Sequence, residues 1–550
     1  MLLSGDEAVA LAARDAAVAL GTGYPGTPST EILEAFSELG GKAQWAPNEK
    51  VALEVGLGAA FAGARALVTM KHVGLNVAAD PFFTAAYTGV VGALVVVSAD
   101  DPGMASSQNE QDNRHFAAAA GVPMLEPSDS QEAYDFTLAA IEVSERWRIP
   151  VLLRLTTRVC HSKTVLSARR KLQPPAPPSF QHDIKGRVMV PSNARPAHRR
   201  LREKLAQIAQ WNESSPLNKR FDGSPERTAG VPPATEEAGA TPAVQRELGI
   251  LASGISFVHA REAAPNASIL KVGMTYPLPL ETMRKFAAGV KRCVAIEEGD
   301  HYLADAAGAA GIRVERKPEM YRFNELDVGR VRRILAGDAT PEPAPPRGKP
   351  PSLCQACPHR VVFEAFRNQD CIVAGDIGCY TLGALPPFEA MDSCVCMGAS
   401  IGVGLGLRHV LPPEQARRVV SVIGDSTFVH GGLTGLVEMV YNKPPAGHVV
   451  VIVDNGTTAM TGQQEHPGTG RTLKHEPTVR FSFEGFAKSL GIENVQVLAP
   501  SEEGAFADAL RAALASGQNA VLITRQTCLL AAPRIREYEK ANAAQAVGSG

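Results

Sequence analysis

The sequence predicts an α/β protein with three open parallel-sheet domains. Short uninterrupted runs of Val, Ile and Leu alternate with alanine- and glycine-rich helical stretches, as in parallel sheets that are covered on both faces. The runs in the last third of the chain end in Gly, Asp or Asn. With 550 residues, 45% of them hydrophobic, the chain can bury several cores of about 100–200 residues each.

The first predicted domain covers residues 1–162. Residues 7–19 are alanine-rich and should be helical. Residues 21–39 should form a strand end, a turn and a helix capped by Ser29 or Thr30. We expect buried strands at 66–74, 93–99 and 149–157.

A basic and proline-rich linker is predicted at 163–245, with eleven Lys or Arg against two acids between Lys163 and Lys204. Nucleic-acid binding would share that charge, but a solvated linker with one helix near 196–212 suits the neutral chain better. Residues 214–242 are polar and turn-rich, so they should be loop.

A small separate domain is predicted at 246–337, with strands at 247–254, 267–274 and 292–299. A proline-rich tether at 338–353 should connect it to a third α/β domain at 354–540. The last ten residues, 541–550, are expected to be a tail.

The charge balance gives no sign of a nucleic-acid or membrane protein. Lys and Arg number 55 against 57 Asp and Glu, a formal net charge of −2. No run reaches the roughly 18 apolar residues of a membrane-spanning helix. The acidic residues Asp6 and Glu7 stand where a signal peptide would be basic. We therefore expect a cytoplasmic protein that binds neither nucleic acid nor membrane.

Two strand ends in the third domain carry a candidate metal site. Asp425 follows the strand at 419–424, and Asn455 follows the strand at 448–454. Ligands of open parallel sheets bind at the carboxyl ends of strands. A carboxylate, an amide oxygen and a backbone carbonyl suit Mg²⁺, with diphosphate oxygens and water completing its shell. Gly424 would let a phosphate approach, and a helix starting near Gly431 could aim free N–H groups at it. Ordinary strand-end turns are the competing interpretation.

The cysteines indicate metal or cluster ligation. Seven of the nine follow residue 350, a poor disulfide framework that indicates a reducing compartment. Cys354 and Cys357 form a C-x-x-C pair, and Cys379 and Cys528 each follow a strand end. Two close and two remote thiolates suit a [4Fe–4S] cluster, while structural zinc and a redox pair stay open. The others should be buried packing residues: Cys160, Cys293, Cys371, Cys394 and Cys396.

The first domain offers further candidate residues. Glu49 and Glu54 stand at the head of a helix of small residues, where an ordinary N-terminal helix charge is the competing interpretation. The turn YPGTPSTE at 24–31 could present hydroxyl and N–H groups to a small anion. Lys71 and His72, at the end of a strand, could meet a carboxylate. A helix-start turn and a surface pair explain these two features equally well.

The motifs together resemble the 2-oxoacid:ferredoxin oxidoreductase superfamily, and within it the α subunits of indolepyruvate:ferredoxin oxidoreductases. The resemblance covers nearly the whole chain. The motifs that carry it are GYPGTPSTE, NEKVALEVGLGAAFAGARALVTMKHVGLN, TYPLPLE, AIEEGD, CQACPHR, GDIGCYTLGALPPFEAMD, CMGASIG and VDNGTTAMTGQQEHPGTG.

The resemblance implies a fold and a set of site residues. The domains would be a pyrimidine-binding domain of thiamine diphosphate enzymes, a transketolase C-terminal-like domain and a diphosphate-binding domain. Glu49 would activate the cofactor, and Thr27 would lie near the substrate carboxylate; Lys71 and His72 stay candidates from the strand end. Asp425, Asn455 and Thr457 would hold Mg²⁺. Cys354, Cys357, Cys379 and Cys528 would hold one [4Fe–4S] cluster. The other cofactor contacts would be Gly375, Asp376, Gly378, Met397, Gly398, Gly424 and Ser426.

The implied reaction is oxidative decarboxylation of an arylpyruvate such as indolepyruvate. Electrons would pass through the cluster to ferredoxin or another carrier, and the acyl group would go to coenzyme A. A β subunit would complete the enzyme, and Glu49 and Asp425 would meet between two copies of the chain.

The sequence departs from the pattern of family α subunits after Cys528. Only 22 residues follow it, without the cysteine runs of a ferredoxin-like domain. Electrons would then leave the proximal cluster directly or through a partner. A non-oxidative thiamine decarboxylase or carboligase and a non-catalytic assembly subunit are the alternatives.

Overall fold

A computed structural model describes residues 1–223, 246–343, 351–502 and 504–548. The chain divides into two compact units. The first comprises Met1–Ala43 and Glu49–Ala344, and the second comprises Gln44–Asn48 and Pro345–Gly550.

The first unit holds thirteen strands among its described residues. They are β1 (Leu2–Leu3), β2 (Leu20–Gly23), β3 (Ala43–Trp45, which reaches into the segment assigned to the second unit), β4 (Arg65–Lys71), β5 (Ala93–Asp100), β6 (Met124–Leu125), β7 (Val151–Thr156), β8 (Thr164–Val165), β9 (Lys219–Asp222), β10 (Arg246–Ala252), β11 (Ser268–Lys271), β12 (Met274–Tyr276) and β13 (Val290–Ile296).

The helices of this unit lie between those strands. They are α1 (Gly5–Asp15), α2 (Thr30–Glu38), α3 (Glu49–Phe61), α4 (His72–Val77), α5 (Ala79–Thr88), α6 (Asn113–Ala120), α7 (Ser130–Trp147), α8 (Thr157–His161), α9 (Ile184–Arg187), α10 (Pro191–Asn212), α11 (Gly254–Ala263), α12 (Leu280–Ala288), α13 (Tyr302–Ala309) and α14 (Val328–Leu335).

Two main sheets organise these elements. A seven-stranded sheet has the order β12-β6-β7-β5-β4-β2-β3, and a four-stranded sheet has the order β13-β10-β11-β9. Strands β4, β5 and β7 are buried along their whole length and pair in parallel. Their Val- and Leu-rich sequences suit this environment, since a central parallel strand has no solvent face.

The second unit is built on one six-stranded sheet with the order β15-β14-β16-β17-β19-β18. Its strands are β14 (Ile372–Gly375), β15 (Ser393–Cys394), β16 (Val419–Gly424), β17 (Val449–Asp454), β18 (Asn494–Leu498) and β19 (Ala520–Arg525). Its helices are α15 (His359–Asn368), α16 (Ala399–Val410), α17 (Pro413–Ala416), α18 (Asp425–Thr427), α19 (Leu433–Tyr441), α20 (Phe483–Ser489), α21 (Ala505–Ser516) and α22 (Ala532–Gly548).

Alternate residues of β17 face two separate cores. Val449, Val451 and Val453 belong to the core on one side of the sheet. Val450 and Ile452 belong to the core on the other side. This sheet is therefore covered on both faces, as continuous apolar strands require.

The α/β fold class with three parallel-dominated open sheets is confirmed. Strand β12 departs from the predicted separate middle domain, because it pairs antiparallel with β6 in the first sheet. The loop predicted at 214–242 is wrong at Lys219–Asp222, which forms edge strand β9 against β11; residues 224–242 lie outside the described residues. Residues 541–548 of the predicted tail are helical, since α22 continues to Gly548.

No helix in the described part of the chain is both long enough and apolar enough to cross a membrane.

Candidate functional site

The carboxyl ends of β16 and β17 bring Asp425 and Asn455 together. The two strands pair in parallel with Gly424 opposite Val453. Asp425 begins the helical segment after β16, and Asn455 directly follows β17. Asp425 is 2% exposed and Asn455 8% exposed, so both side chains are held inside the protein.

Asp425 is held by several hydrogen-bond donors. Its Oδ1 accepts from the Ser426 N–H at 2.8 Å, and its Oδ2 accepts from the Gly456 N–H at 2.8 Å. His466 Nε2 lies 3.3 Å from Oδ2. Burial alone would raise the pKa of Asp425, but His466 and these N–H groups lower it. The carboxylate is therefore kept charged, as a cation ligand must be.

Two neighbours orient the Asn455 amide. Its Nδ2 donates to His359 Nε2 at 3.3 Å, and its Oδ1 accepts from the Thr457 N–H at 3.1 Å. Thr457 Oγ1 in turn donates to the Gln464 carbonyl at 3.2 Å. Burial lowers the pKa of His359 to about 4, so the ring is neutral and can accept a hydrogen bond from the amide N–H. The amide oxygen is thereby turned away from His359.

The loops around this site pack closely on glycine. A Cβ on Gly424 would lie 2.7 Å from Cε1 of Tyr380. Gly398 has φ +90°, and a Cβ there would lie 2.6 Å from the Gly431 backbone. The helix predicted to start near Gly431 is wrong in its start, because helical geometry begins at Asp425 and runs through a π-helical turn at Phe428–Gly432 into α19.

Asp376 organises the neighbouring turn after β14. Its Oδ1 accepts from the N–H groups of Ile377 and Gly398, and its Oδ2 accepts from Ser400 N–H at 3.0 Å. Burial raises the pKa of Asp376 to about 6, although these hydrogen bonds lower it. Gly375, Gly378 and Met397 lie on the same two segments, and Ser426 Oγ accepts from Thr458 Oγ1 at 2.9 Å.

The four cysteines chosen from the sequence lie near one another. Burial raises the pKa of Cys379 to about 11, and the charges of three neighbouring thiols add to the rise. Those thiols belong to Cys354, Cys357 and Cys528. Cys354 is exposed, and the other three are partly buried. Four thiols on three segments are a donor set suited to an iron–sulfur cluster.

A direct hydrogen bond links the cysteines to the Asp425–Asn455 site. The Cys528 N–H donates to the Asn455 carbonyl at 2.9 Å. This link exists because β19 pairs with β17, so the loops after the two strands leave the sheet side by side.

The expectation for the other cysteines is correct only in part. Cys160 and Cys293 are buried, and Cys371 is partly buried. Cys394 and Cys396 are exposed, so the prediction that they are buried packing residues is wrong. Both stand at or beside the edge strand β15, where the sheet ends.

Glu49 lies in the first unit, at the first residue of α3, and is 4% exposed. It packs against α4, since a Cβ on Gly74 would lie 2.6 Å from Cγ of Glu49. Glu54, on the same helix, is exposed and pairs with Lys50. Of the two glutamates, the structure therefore encloses Glu49 and leaves Glu54 on the surface.

Lys71 and His72 lie where β4 ends and α4 begins. Lys71 Nζ donates to the Ser106 carbonyl at 2.8 Å, and burial lowers the pKa of this lysine to about 8. His72 Nε2 lies 3.0 Å from the Asn109 carbonyl. A Cβ on Gly26 would lie 2.9 Å from Cβ of Lys71, so the turn that carries Thr27 packs on this strand end.

His466 and His359 were missed by the sequence analysis. Both touch an expected metal ligand, but each stands far from its partner in the sequence. His466 lies in the motif EHPGTG, and His359 lies in CQACPHR.

Two family models match the chain. One, described as "Pyruvate flavodoxin/ferredoxin oxidoreductase, thiamine diP-bdg", matches residues 11–180. The other, described as "Thiamine pyrophosphate enzyme, C-terminal TPP binding domain", matches residues 376–524. The second range contains Asp425 and Asn455.

Curated relatives match over nearly the whole chain. The indolepyruvate oxidoreductase subunit IorA of Methanothermobacter thermautotrophicus is 38% identical over 98% of this chain and 88% of its own length. IorA of Archaeoglobus fulgidus is 37% identical over the same shares. The chain belongs to the IorA family. As an IorA-family protein with two thiamine diphosphate domains, it is part of a thiamine diphosphate-dependent 2-oxoacid oxidoreductase, which confirms the resemblance.

A solved structure gives a weaker likeness to this IorA-family chain. It is described as 2-oxoglutarate:ferredoxin oxidoreductase from Magnetococcus marinus with 2-oxoglutarate, coenzyme A and succinyl-CoA bound. It aligns with a TM-score of 0.49 and 16% identity over 62% of this chain and 65% of that chain.

Proposed function

We propose that the chain catalyses oxidative decarboxylation of an arylpyruvate, most simply indolepyruvate, and passes the electrons to one [4Fe–4S] cluster of its own. The acyl acceptor is coenzyme A, and the electron acceptor is ferredoxin or another soluble carrier. The working enzyme contains a β subunit and two copies of this chain.

The observation that carries this proposal is the bond between Cys528 N–H and the Asn455 carbonyl. It ties a proposed cluster ligand to a proposed Mg²⁺ ligand across the neighbouring loops that follow β17 and β19. A non-oxidative thiamine enzyme needs no thiolate set beside its cofactor. The exposed Cys354 supports electron exit at this place, because a docking carrier would meet that edge of the cluster.

Asp425, Asn455 and the Thr457 carbonyl are the proposed Mg²⁺ ligands, and the ion would bind the cofactor's diphosphate. His466 positions Asp425. Its Nδ1 accepts from the Gly468 N–H at 3.1 Å, so its proton lies on Nε2, the atom facing Asp425. Gly424, Asp376 and Gly398 shape the surrounding loops, with Gly375, Gly378, Met397 and Ser426 beside them.

Bound thiamine diphosphate supplies a carbon nucleophile and an electron sink. Glu49 is the proposed acid–base residue for the cofactor's pyrimidine, since its enclosed carboxylate is shielded from water. Lys71 provides positive charge for the substrate carboxylate. His72 follows it at the start of α4, and the turn that carries Thr27 packs on Lys71.

The test is anaerobic turnover of indolepyruvate, phenylpyruvate, pyruvate and branched-chain 2-oxo acids with a dye acceptor, with and without coenzyme A and the β subunit. Glu49→Gln should lower kcat by about 10²- to 10⁴-fold, the usual share of a general acid–base group. The matched control is Glu54→Gln, an exposed position on the same helix that should keep the parent's activity. An active protein without iron would refute the oxidative reaction, and an active Glu49→Gln variant would refute the role of Glu49.

A further inference from the structure

A cluster of metal-ligating side chains in the first unit is separate from the residues proposed for catalysis. Asp6, Glu31 and His161 each offer one ligand atom, and these atoms all lie within 4.8 Å of one another. Ligands about 2.1 Å from one ion can be at most about 4.2 Å apart. Small rotations of the exposed Glu31 and His161 side chains close that difference.

The Asp6 carboxylate stands out because it is buried without support. The residue is 1% exposed, and neither carboxylate oxygen has an N–H or O–H donor among the described residues. A buried carboxylate in that condition costs several kcal/mol unless it is neutralised or paired. Apart from the weak S–H donor of Cys160, both oxygens of Asp6 therefore lack the partner that a buried charge requires.

Nearby negative charges make the buried Asp6 carboxylate still less favourable. The charged groups that act most on Asp6 are Glu31 and Glu7, both carboxylates. The buried thiol of Cys160 contacts the same carboxylate. A cation is the species that would satisfy two acids, an imidazole and a thiol at once.

We infer that Asp6, Glu31 and His161 form a binding site for a divalent transition-metal ion, with Zn²⁺ as its natural probe. Carboxylate and imidazole ligands with an adjacent thiol suit Zn²⁺ better than Mg²⁺ or Ca²⁺, which prefer oxygen alone. Three protein ligands leave a position for water or for the Cys160 sulfur.

The ion would join three elements at their ends. Asp6 lies in the first turn of α1, Glu31 in the first turn of α2, and His161 is the last residue of α8. Glu31 follows Thr27 by four positions, at the end of the turn that packs on Lys71. A bound ion would therefore fix the turn that carries Thr27 to the body of the unit.

The experiment measures zinc content and Zn²⁺ affinity in the anaerobically purified complex, with its own cysteine sites filled. Glu31→Gln and His161→Gln are the informative variants, because both positions are exposed and should fold. Glu38→Gln on α2 and His182→Gln are matched exposed controls. Asp6→Asn is a second variant that removes only the buried charge.

We expect one Zn²⁺ per chain in the parent and both controls. Loss of a ligand in Glu31→Gln or His161→Gln should weaken Zn²⁺ binding by more than about 100-fold. That figure is the largest loss of affinity expected for a residue that only supports a ligand. The thermal midpoint of the parent should rise with added Zn²⁺, and that of the two variants should not. Equal zinc in the variants and the parent would overturn the inference. So would an infrared band of a protonated Asp6 carboxyl in the zinc-supplemented parent that disappears in Asp6→Asn.

Discussion

Replacing Gly74 with alanine should disable the proposed acid–base residue without unfolding the protein. The added methyl would lie 2.6 Å from Cγ and 2.7 Å from Oε1 of Glu49. Carbon atoms in contact stay about 3.5–4.0 Å apart, so the glutamate must move by about 1 Å. A displacement of that size at a reacting group can cost about 100-fold in rate.

The stability cost of this substitution should be small. The crowded atoms belong to the Glu49 side chain rather than to the backbone, so we expect about 1 kcal/mol, the low end for an overpacked core. Gly58→Ala on α3 is the control, since its methyl would meet no atom of the described residues within 4 Å. That control should be more stable by about 0.5–1 kcal/mol, because alanine has the higher helix propensity, and it should keep full activity.

The assay is steady-state turnover of the anaerobic complex, together with thermal unfolding of both variants. Gly74→Ala should show a kcat near one-hundredth of the parent's, with cofactor still bound. Parental kcat in a folded Gly74→Ala variant would refute the placement of Glu49 at the reacting centre.

Four further outcomes follow from the same geometry. Asp425→Asn should weaken Mg²⁺ and thiamine diphosphate binding at least tenfold, because the amide cannot supply the charge that the ion needs; equilibrium dialysis measures this, and parental affinity would contradict it. His466→Ala should weaken Mg²⁺ binding about 10- to 100-fold, because Asp425 loses the residue that orients it. His466→Gln should recover part of that affinity, and the same equilibrium dialysis measures both variants. Cys528→Ser should lower the iron content and visible absorbance of the protein, whereas Cys394→Ser should leave both unchanged; equal iron in the two would exclude Cys528 as a ligand. Lys71 is protonated below its pKa of about 8 and neutral above it, so kcat/KM for an anionic 2-oxo acid should fall as pH rises through about 8. That step should be missing from the pH profile of Lys71→Met, and its persistence would exclude Lys71 as its source.

The sheet edge of the second unit that carries Asp425 and Asn455 could be predicted, because its position depends on strand order alone. Asp425 and Asn455 each follow a continuous apolar run, and adjacent parallel strands place such residues at one edge of the sheet. His466 and His359 could not be predicted this way. They reach the site from a loop and from a helix whose positions depend on tertiary packing.

The errors in the fold also have local causes. Strand β9 is a short, polar sequence, Lys219–Asp222, that forms only because β11 offers it an open edge. The run predicted as one strand at 267–274 divides at Gly273, where a Cβ would lie 2.2 Å from the Leu217 carbonyl. Cys394 and Cys396 flank a valine and look apolar in sequence, yet their edge position exposes them.

The most direct test of the proposed chemistry is whether a 2-oxo acid reduces the cluster in the protein itself. Indolepyruvate is added anaerobically to the parent and to Glu49→Gln without an external acceptor, and electron paramagnetic resonance follows the reduced cluster. We predict a reduced [4Fe–4S] signal in the parent and none in Glu49→Gln on the same time scale. Decarboxylation in the parent with no change in the cluster would contradict an electron path through the four cysteines.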